Sequence, residues 1–269
     1  MIQIKTADEI ALMREAGLVV SRTLARLAAA VAPGVTTADL DAISEESIRG
    51  EGAVPSFKGY RGFPATICTS INDEVVHGIP SRRRRLRAGD LVSIDCGAIV
   101  DGWHGDSALT VAVGEIRPEL AELMRVTEES MWAGLAAALA GGRLTDIGAA
   151  VERSVRSAPR PYGIVDHYGG HGIGTEMHQD PHVLNYGRPG RGPRLLPGLV
   201  LAIEPMVTAG NPKTRELDDG WTVVTLDGSY AAHFEHTVAV TDDGPWVLTA
   251  ADGGAAKLAD YGVKVQQRA

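Results

Sequence analysis

Apolar residues recur at helical spacing near the start of the chain. Thr6 to Glu9, TADE, has the form of a capping box, and Ile10, Met13, Leu18, Leu24 and Leu27 then mark a long amphipathic helix running towards Pro33-Gly34. TTADLDAISEESIRG predicts a second, shorter helix, with Thr36 or Thr37 as its N-cap and Gly50 as its terminator. The order then repeats. ELAELMRVTEESMWAGLAAALAGG predicts a long helix ending at Gly141-Gly142, and TDIGAAVERSVRSAP a shorter one stopped before Pro159. LAAAVAPG from Leu27 and LAAALAGG from Leu135 align 108 residues apart, with Asp39-Leu40 and Asp146-Ile147 following at 107. Two related halves, roughly 1–115 and 116–250, of a single domain covering 1–269 are expected.

Strand patterns follow each helix pair: ATICTSI, LVSIDCGAIV and SALTVAV in the first half, LVLAIEPMV, WTVVTL and AHFEHTVAV in the second. Runs of helices followed by runs of mostly antiparallel strands predict an α+β fold in which helices cover a curved sheet.

Four acids interrupt these apolar runs: Asp95, Asp106, Glu204 and Glu235. A lone charge among buried strands costs several kcal/mol unless it is paired or bound to a metal. Asp101-Gly102 lies between two strand runs, a strong hairpin signal. If Val100 faces Trp103, Asp106 stands opposite Gly97, and Asp95 lies two positions along on the same face. The two carboxylates are then diagonal neighbours, about 7–8 Å apart at the backbone, and call for a shared cation.

The segment VDHYGGHGIGTEMHQDPH holds four of the eight histidines. Its glycines exclude a helix, so the spacing of His167 and His171 is not that of a helical zinc pair. In an extended segment His171 can join the acids, leaving His167 as a buried or supporting residue.

Composition narrows the partners. The chain has 269 residues, 26 Lys plus Arg against 34 Asp plus Glu, and a net charge of -8. That length supports a core without a structural metal, and that charge argues against a dedicated nucleic-acid binder. Two cysteines, Cys68 and Cys96, provide no disulfide framework and fit a reducing cytoplasm. The N-terminus lacks the pattern of a secretory signal, and no apolar run reaches membrane-spanning length.

Taken in order, SINDEVVHGIP, SIDCGAIVDGWHGDSALT, HYGGHGIGTEMHQDPHVLNY, LAIEPM, DGWTVVT and FEHTVAVT resemble the type I methionine aminopeptidases, enzymes of the pita-bread fold. The resemblance spans nearly the whole chain. It implies that Asp95 binds one divalent ion, that Asp106 and Glu235 bridge two, and that His171 and Glu204 complete the second. The ions would be Co, Mn, Fe(II), Zn or Ni, and the pair would activate a bridging water or hydroxide to hydrolyse a peptide bond. His178 would contact the scissile carbonyl, His77 the scissile amide or leaving amine, and Glu204 would also handle the water's proton. Tyr60, Phe63, Cys68, Met177 and Trp221 would form the methionine pocket beside His77 and His178. Met177 departs from the aromatic residue often found next to the catalytic histidine, and Phe57 also bears on the pocket's shape. His104, His182, His233 and His236 have no counterpart in the resemblance and are expected at the surface or in structural roles.

The implied substrate is the N-terminus of a nascent polypeptide whose second residue is small. A chain beginning at its first helix, with 25 residues between His178 and Glu204, resembles the short bacterial form. A cytoplasmic monomer is expected. The run SRRRRLRAGD, with its arginines between Arg82 and Arg87, suggests docking on ribosomal RNA through phosphate contacts. Two other functions compete: a dipeptidase or Xaa-Pro aminopeptidase on the same scaffold, and a binding protein without metals.

Overall fold

The computed structural model describes residues 1–265. Helix α1 is Ala7–Ala30, capped by Thr6, whose hydroxyl accepts from the Glu9 N–H while the Glu9 carboxylate accepts from the Thr6 N–H. Helix α2, Thr37–Gly50, starts with the same exchange between Thr36 and Asp39. Both starts follow the sequence prediction. Helix α4 spans Leu144–Arg156, and Asp146 accepts from the Arg143 N–H at its start.

Helix α3, Pro118–Ala136, ends before the predicted Gly141-Gly142 stop. The Gly141 N–H donates to the Leu195 carbonyl, and the Leu195 N–H donates to Gly142, so the last alanines turn away from the helix. Tertiary hydrogen bonds outweigh a high local helix propensity here.

The largest sheet has nine strands, and its assigned pairs are antiparallel. Its central path runs Leu91–Val100, Trp103–Ala112, Glu235–Thr241, Val200–Ile203, Gly170–Gly172, with Ile67–Ile71 also paired to Leu91–Val100. The Asp101-Gly102 turn has φ of 47° and 84°, and the hairpin register is the one computed from sequence: Val100 pairs with Trp103 and Gly97 with Asp106.

Two predicted strands are each divided. LVLAIEPMV becomes Val200–Ile203 and Met206–Thr208, and AHFEHTVAV becomes Ala231–His233 and Glu235–Thr241. Pro205 has no N–H with which to continue a ladder. Met206–Thr208 and Ala231–His233 instead pair in a separate three-stranded sheet. The breaks place Glu204 and Glu235 at a junction between two sheets.

Apolar side chains of α1 and α2 cover the first-half strands, with Val20, Leu27, Leu40, Ile67 and Ile94 buried together. Met131, Leu135 and Ile147 of α3 and α4 pack with Leu201, Ile203 and Val238 in the second half. Helix α1 lies close against the hairpin at Gly105, where a Cβ would come within 2.7 Å of the Gly17 nitrogen.

Candidate metal centre

Cross-strand pairing builds the centre as adjacent rows on one face of the sheet. Cys68 pairs with Asp95, Asp95 with Ala108, and Ala108 with Glu235. Extending the His236–Ile203 pairing by one residue brings Glu204 opposite Glu235. In the next row Gly97 pairs with Asp106, Thr237 with Ala202, and Ala202 with His171. The Thr237 hydroxyl joins Asp106 to this row, accepting from its N–H at 3.2 Å and donating to its carbonyl at 2.8 Å. Acids and imidazole alternate with Gly97, Ala108 and Ala202, whose small side chains leave room between the larger ones.

His171 Nε2 lies 3.6 Å from Glu204 Oε1 and 3.8 Å from Asp106 Oδ2. Its Nδ1 donates to the Gly172 carbonyl at 2.9 Å, which leaves the Nε2 lone pair facing the acids. Asp106, His171 and Glu235 each offer a donor atom within 4.8 Å of the other two, and so do Glu204, His233 and Glu235.

The charges require a cation. Burial pushes the Asp95 carboxyl up to about 7, with His233 opposing and Glu204 adding to the rise, while burial lifts Glu204 to about 8. Burial and the neighbouring acids hold Asp106 and Glu235 well above the usual carboxylate range. Burial depresses His171 to about 3, so its neutral form is available as a ligand. Asp95 Oδ1, Asp106 Oδ1 and Glu235 Oε1 are buried without hydrogen-bond partners. Orphaned oxygens on crowded acids fit divalent cations, which supply positive charge and oxygen-coordinating positions together.

These residues lie in a cavity of about 500 Å³ whose lining includes Tyr60, Phe63, Cys68, His77, His178 and Trp221. Phe63 meets Trp221 edge-on at 5.0 Å, and Trp221 meets His77 at 6.1 Å between centroids. The Tyr60 hydroxyl lies 2.8 Å from His178 Nδ1. His77 has φ of 61°, in the left-handed region, and burial depresses its imidazole to about 4. Burial raises the Cys68 thiol well above its usual range, with Asp95 adding to the effect. Cys68 is therefore a neutral apolar wall.

Met177 is buried in one apolar cluster with Phe57, Phe63 and Cys68, and its terminal methyl would lie 2.9 Å from a Cβ at Gly97. Phe57 itself reaches the lining. His167 and His182 line the cavity but are exposed, so of the two roles expected for His167, buried or supporting, the buried one is not taken. His104 accepts the expected structural role, buried with Nδ1 3.0 Å from Ser56 Oγ. His236 is also structural, joined to Thr249 and Ser107 hydroxyls. His233 takes the interior alternative rather than the surface one: it is 1% exposed, with Nε2 3.5 Å from Glu204 Oε2 and 4.0 Å from Glu235 Oε2. Its sequence signal is the His-Phe-Glu spacing, because alternate residues of an extended segment share a face. Tyr168 and Met206, which the sequence did not single out, also line the cavity.

The profile of Metallopeptidase family M24 matches residues 11–242. The chain belongs to metallopeptidase family M24. This M24 chain is 57% identical over 249 residues to a methionine aminopeptidase from Clostridium acetobutylicum, covering 93% of the chain and 99% of the relative. It is 57% identical over 249 residues to methionine aminopeptidase 1 from Mycobacterium tuberculosis, covering 91% and 94%. A crystal structure of methionine aminopeptidase from Rickettsia prowazekii superimposes with a TM-score of 0.90 at 41% identity, covering 93% of the M24 chain and 100% of the other. The expected pita-bread architecture is therefore the fold of this M24 metallopeptidase.

Proposed function

We propose that this chain is a methionyl aminopeptidase that removes initiator methionine from polypeptides with a small second residue. The observation that carries this reading is the convergence of Asp95, Asp106, His171, Glu204 and Glu235 beside a cavity with apolar walls. Those five side chains would hold two divalent ions, drawn from Co, Mn, Fe(II), Zn or Ni. Bound there, the ions would supply Lewis acidity, polarising a carbonyl and acidifying a water.

The remaining steps belong to the side chains. Phe63, Trp221, Tyr60 and Cys68 enclose an unbranched thioether side chain and exclude water around it. If His178 Nδ1 accepts from the Tyr60 hydroxyl, its Nε2–H is free to donate to the scissile carbonyl. His77 contacts the scissile amide or leaving amine. Glu204, placed at the junction between sheets, takes a proton from water and can return it to that amine.

Apo-protein should recover cleavage of Met-Ala-Ser when divalent metal is added, with no comparable cleavage of Ala-Pro-Ala. The reverse preference would favour an Xaa-Pro peptidase, and inactivity on both peptides in metal-loaded protein would remove the assignment.

Nascent chains in the cytoplasm are the proposed substrates, and the enzyme is proposed to act as a monomer. Among the described residues, no helix is long and apolar enough to cross a membrane. Arg82 to Arg85 and Arg87 form an exposed basic loop, which we propose contacts ribosomal RNA. Arg84 pairs with Glu74 at 3.3 Å, while Arg85 donates to the Gly34 carbonyl. Ribosome co-sedimentation should weaken when Arg82, Arg83 and Arg87 become Ala, and unchanged sedimentation would remove this contact.

A further inference from the structure

The two central strands hold Asp106 and His233 in equivalent ways. Ala108 pairs with Glu235, and on either side of that pair a threonine hydroxyl clasps the facing backbone. Thr237 Oγ1 accepts from the Asp106 N–H and donates to its carbonyl; Thr110 Oγ1 accepts from the His233 N–H and donates to its carbonyl, both at 2.9 Å. Exchanging the strands therefore exchanges Asp106 with His233 and Ala108 with Glu235. The flanking pairs follow: Gly97–Asp106 corresponds to Met206–His233, and Asp95–Ala108 to the Glu204–Glu235 alignment. His233 occupies the counterpart of a ligand position.

Its side chain is placed for the same work. His233 Nε2 is buried without a hydrogen-bond partner, 3.5 Å from Glu204 Oε2 and 4.0 Å from Glu235 Oε2. These separations are longer than a normal hydrogen bond. Donors about 2.1 Å from one ion lie roughly 3.0–4.2 Å apart, depending on the angle between them. His171 makes comparable separations of 3.6 and 3.8 Å from its acidic neighbours. Glu204 presents Oε1 to His171 and Oε2 to His233, so one carboxylate stands between two imidazoles.

We propose that His233 Nε2 is a sixth protein ligand of the metal centre, binding a divalent ion together with Glu204 and Glu235. This rests on the reading of the acid cluster as a metal centre and adds a second imidazole to it. The donor set becomes four carboxylates and two nitrogens, with Glu204 shared between the two histidines. A second neutral nitrogen ligand favours borderline ions such as Zn, Co or Fe(II) over an all-oxygen preference.

The test is a long-range ¹H–¹⁵N correlation spectrum of full-length protein labelled with ¹⁵N-histidine, recorded before and after Zn²⁺ addition. Two Nε2 resonances should move to the position of coordinated imidazole, and H233Q should remove one of them. Calorimetric titration of H233Q with Mn²⁺ should show at least tenfold weaker binding at one site. Thermal unfolding of H233Q checks its fold, while the wild-type spectrum is informative even if that variant is unstable. Movement of the His171 signal alone, or a His233 Nε2 that retains its proton, overturns the sixth ligand and leaves the five-residue centre standing. If neither imidazole moves, the metal-centre reading fails as well. No peptide is present in either measurement, so the outcome is independent of methionine specificity.

Discussion

Asp95 and Glu235 are cross-strand partners of the same alanine, Ala108, which they approach from opposite sides. Residues 140 positions apart thus share one row of a sheet, separated by a single methyl group. Because directly paired residues point to the same face, both carboxylates face the cavity.

Ala108→Val should place two extra methyl groups in that gap. Overpacking would cost about 1–3 kcal/mol of stability. Calorimetry should show metal affinity falling by more than tenfold, a larger relative effect than any loss of fold seen by circular dichroism. Unchanged Mn²⁺ affinity would show that the space beside Ala108 is not used by a metal.

Metal-free protein should lose stability as pH rises above about 7, where depressed histidines such as His77 and His171 are neutral in both folded and unfolded chains and only the buried acids still titrate. The folded Asp95 and Glu204 titrate at about 7 and about 8, above their usual unfolded values, so between roughly pH 4 and 8 the folded state binds more protons. Their stabilising effect is complete below the unfolded pKa values and disappears as pH passes the folded ones. In excess chelator, the unfolding temperature should therefore be lower at pH 8 than at pH 7. Mn²⁺ should raise it more at pH 8, where the acids are ready to coordinate. Equal metal-induced shifts at both values would contradict this linkage.

Tyr60→Phe removes the hydroxyl 2.8 Å from His178 Nδ1 and leaves the aromatic wall. Loss of this orienting bond should lower kcat by about tenfold, the scale of roughly 1.4 kcal/mol, with a smaller change in KM. Steady-state cleavage of Met-Ala-Ser separates the two effects. A KM change with kcat intact would assign Tyr60 to side-chain binding alone.

Gly105→Ala should destabilise the fold because its Cβ would lie 2.7 Å from the Gly17 nitrogen and 2.9 Å from backbone carbons of α1. The helix must move away from the hairpin, at a cost of about 3 kcal/mol. Urea unfolding of the metal-free protein gives the difference directly. Wild-type stability would mean that the helix is less closely held than its backbone approach indicates.

Much of the centre was legible because its anomalies were local. Asp95 in LVSIDCGAIV and Glu204 in LVLAIEPMV are charges in runs that must be buried, and Asp101-Gly102 supplies enough turn chemistry to compute the hairpin register. His171 was accessible from its glycine-rich surroundings, which exclude a helix. Apolar character suits a pocket wall and a buried support equally well, so the sequence alone leaves Met177 between the two roles. The neighbours of His167 do not reveal which side of the segment faces solvent.

The sequence by itself determined the helix starts, the principal hairpin and the need for positive charge among the acids, since these follow from capping, turn geometry and the cost of isolated buried charge. Only the tertiary structure decided that α3 stops at Ala136, that two apolar runs change sheets beside Pro205, and that His233 faces Glu204. Those outcomes depend on hydrogen bonds and packing between residues far apart in the chain. Local periodicity specifies which faces can be buried, but the partners that meet them are chosen by the folded whole.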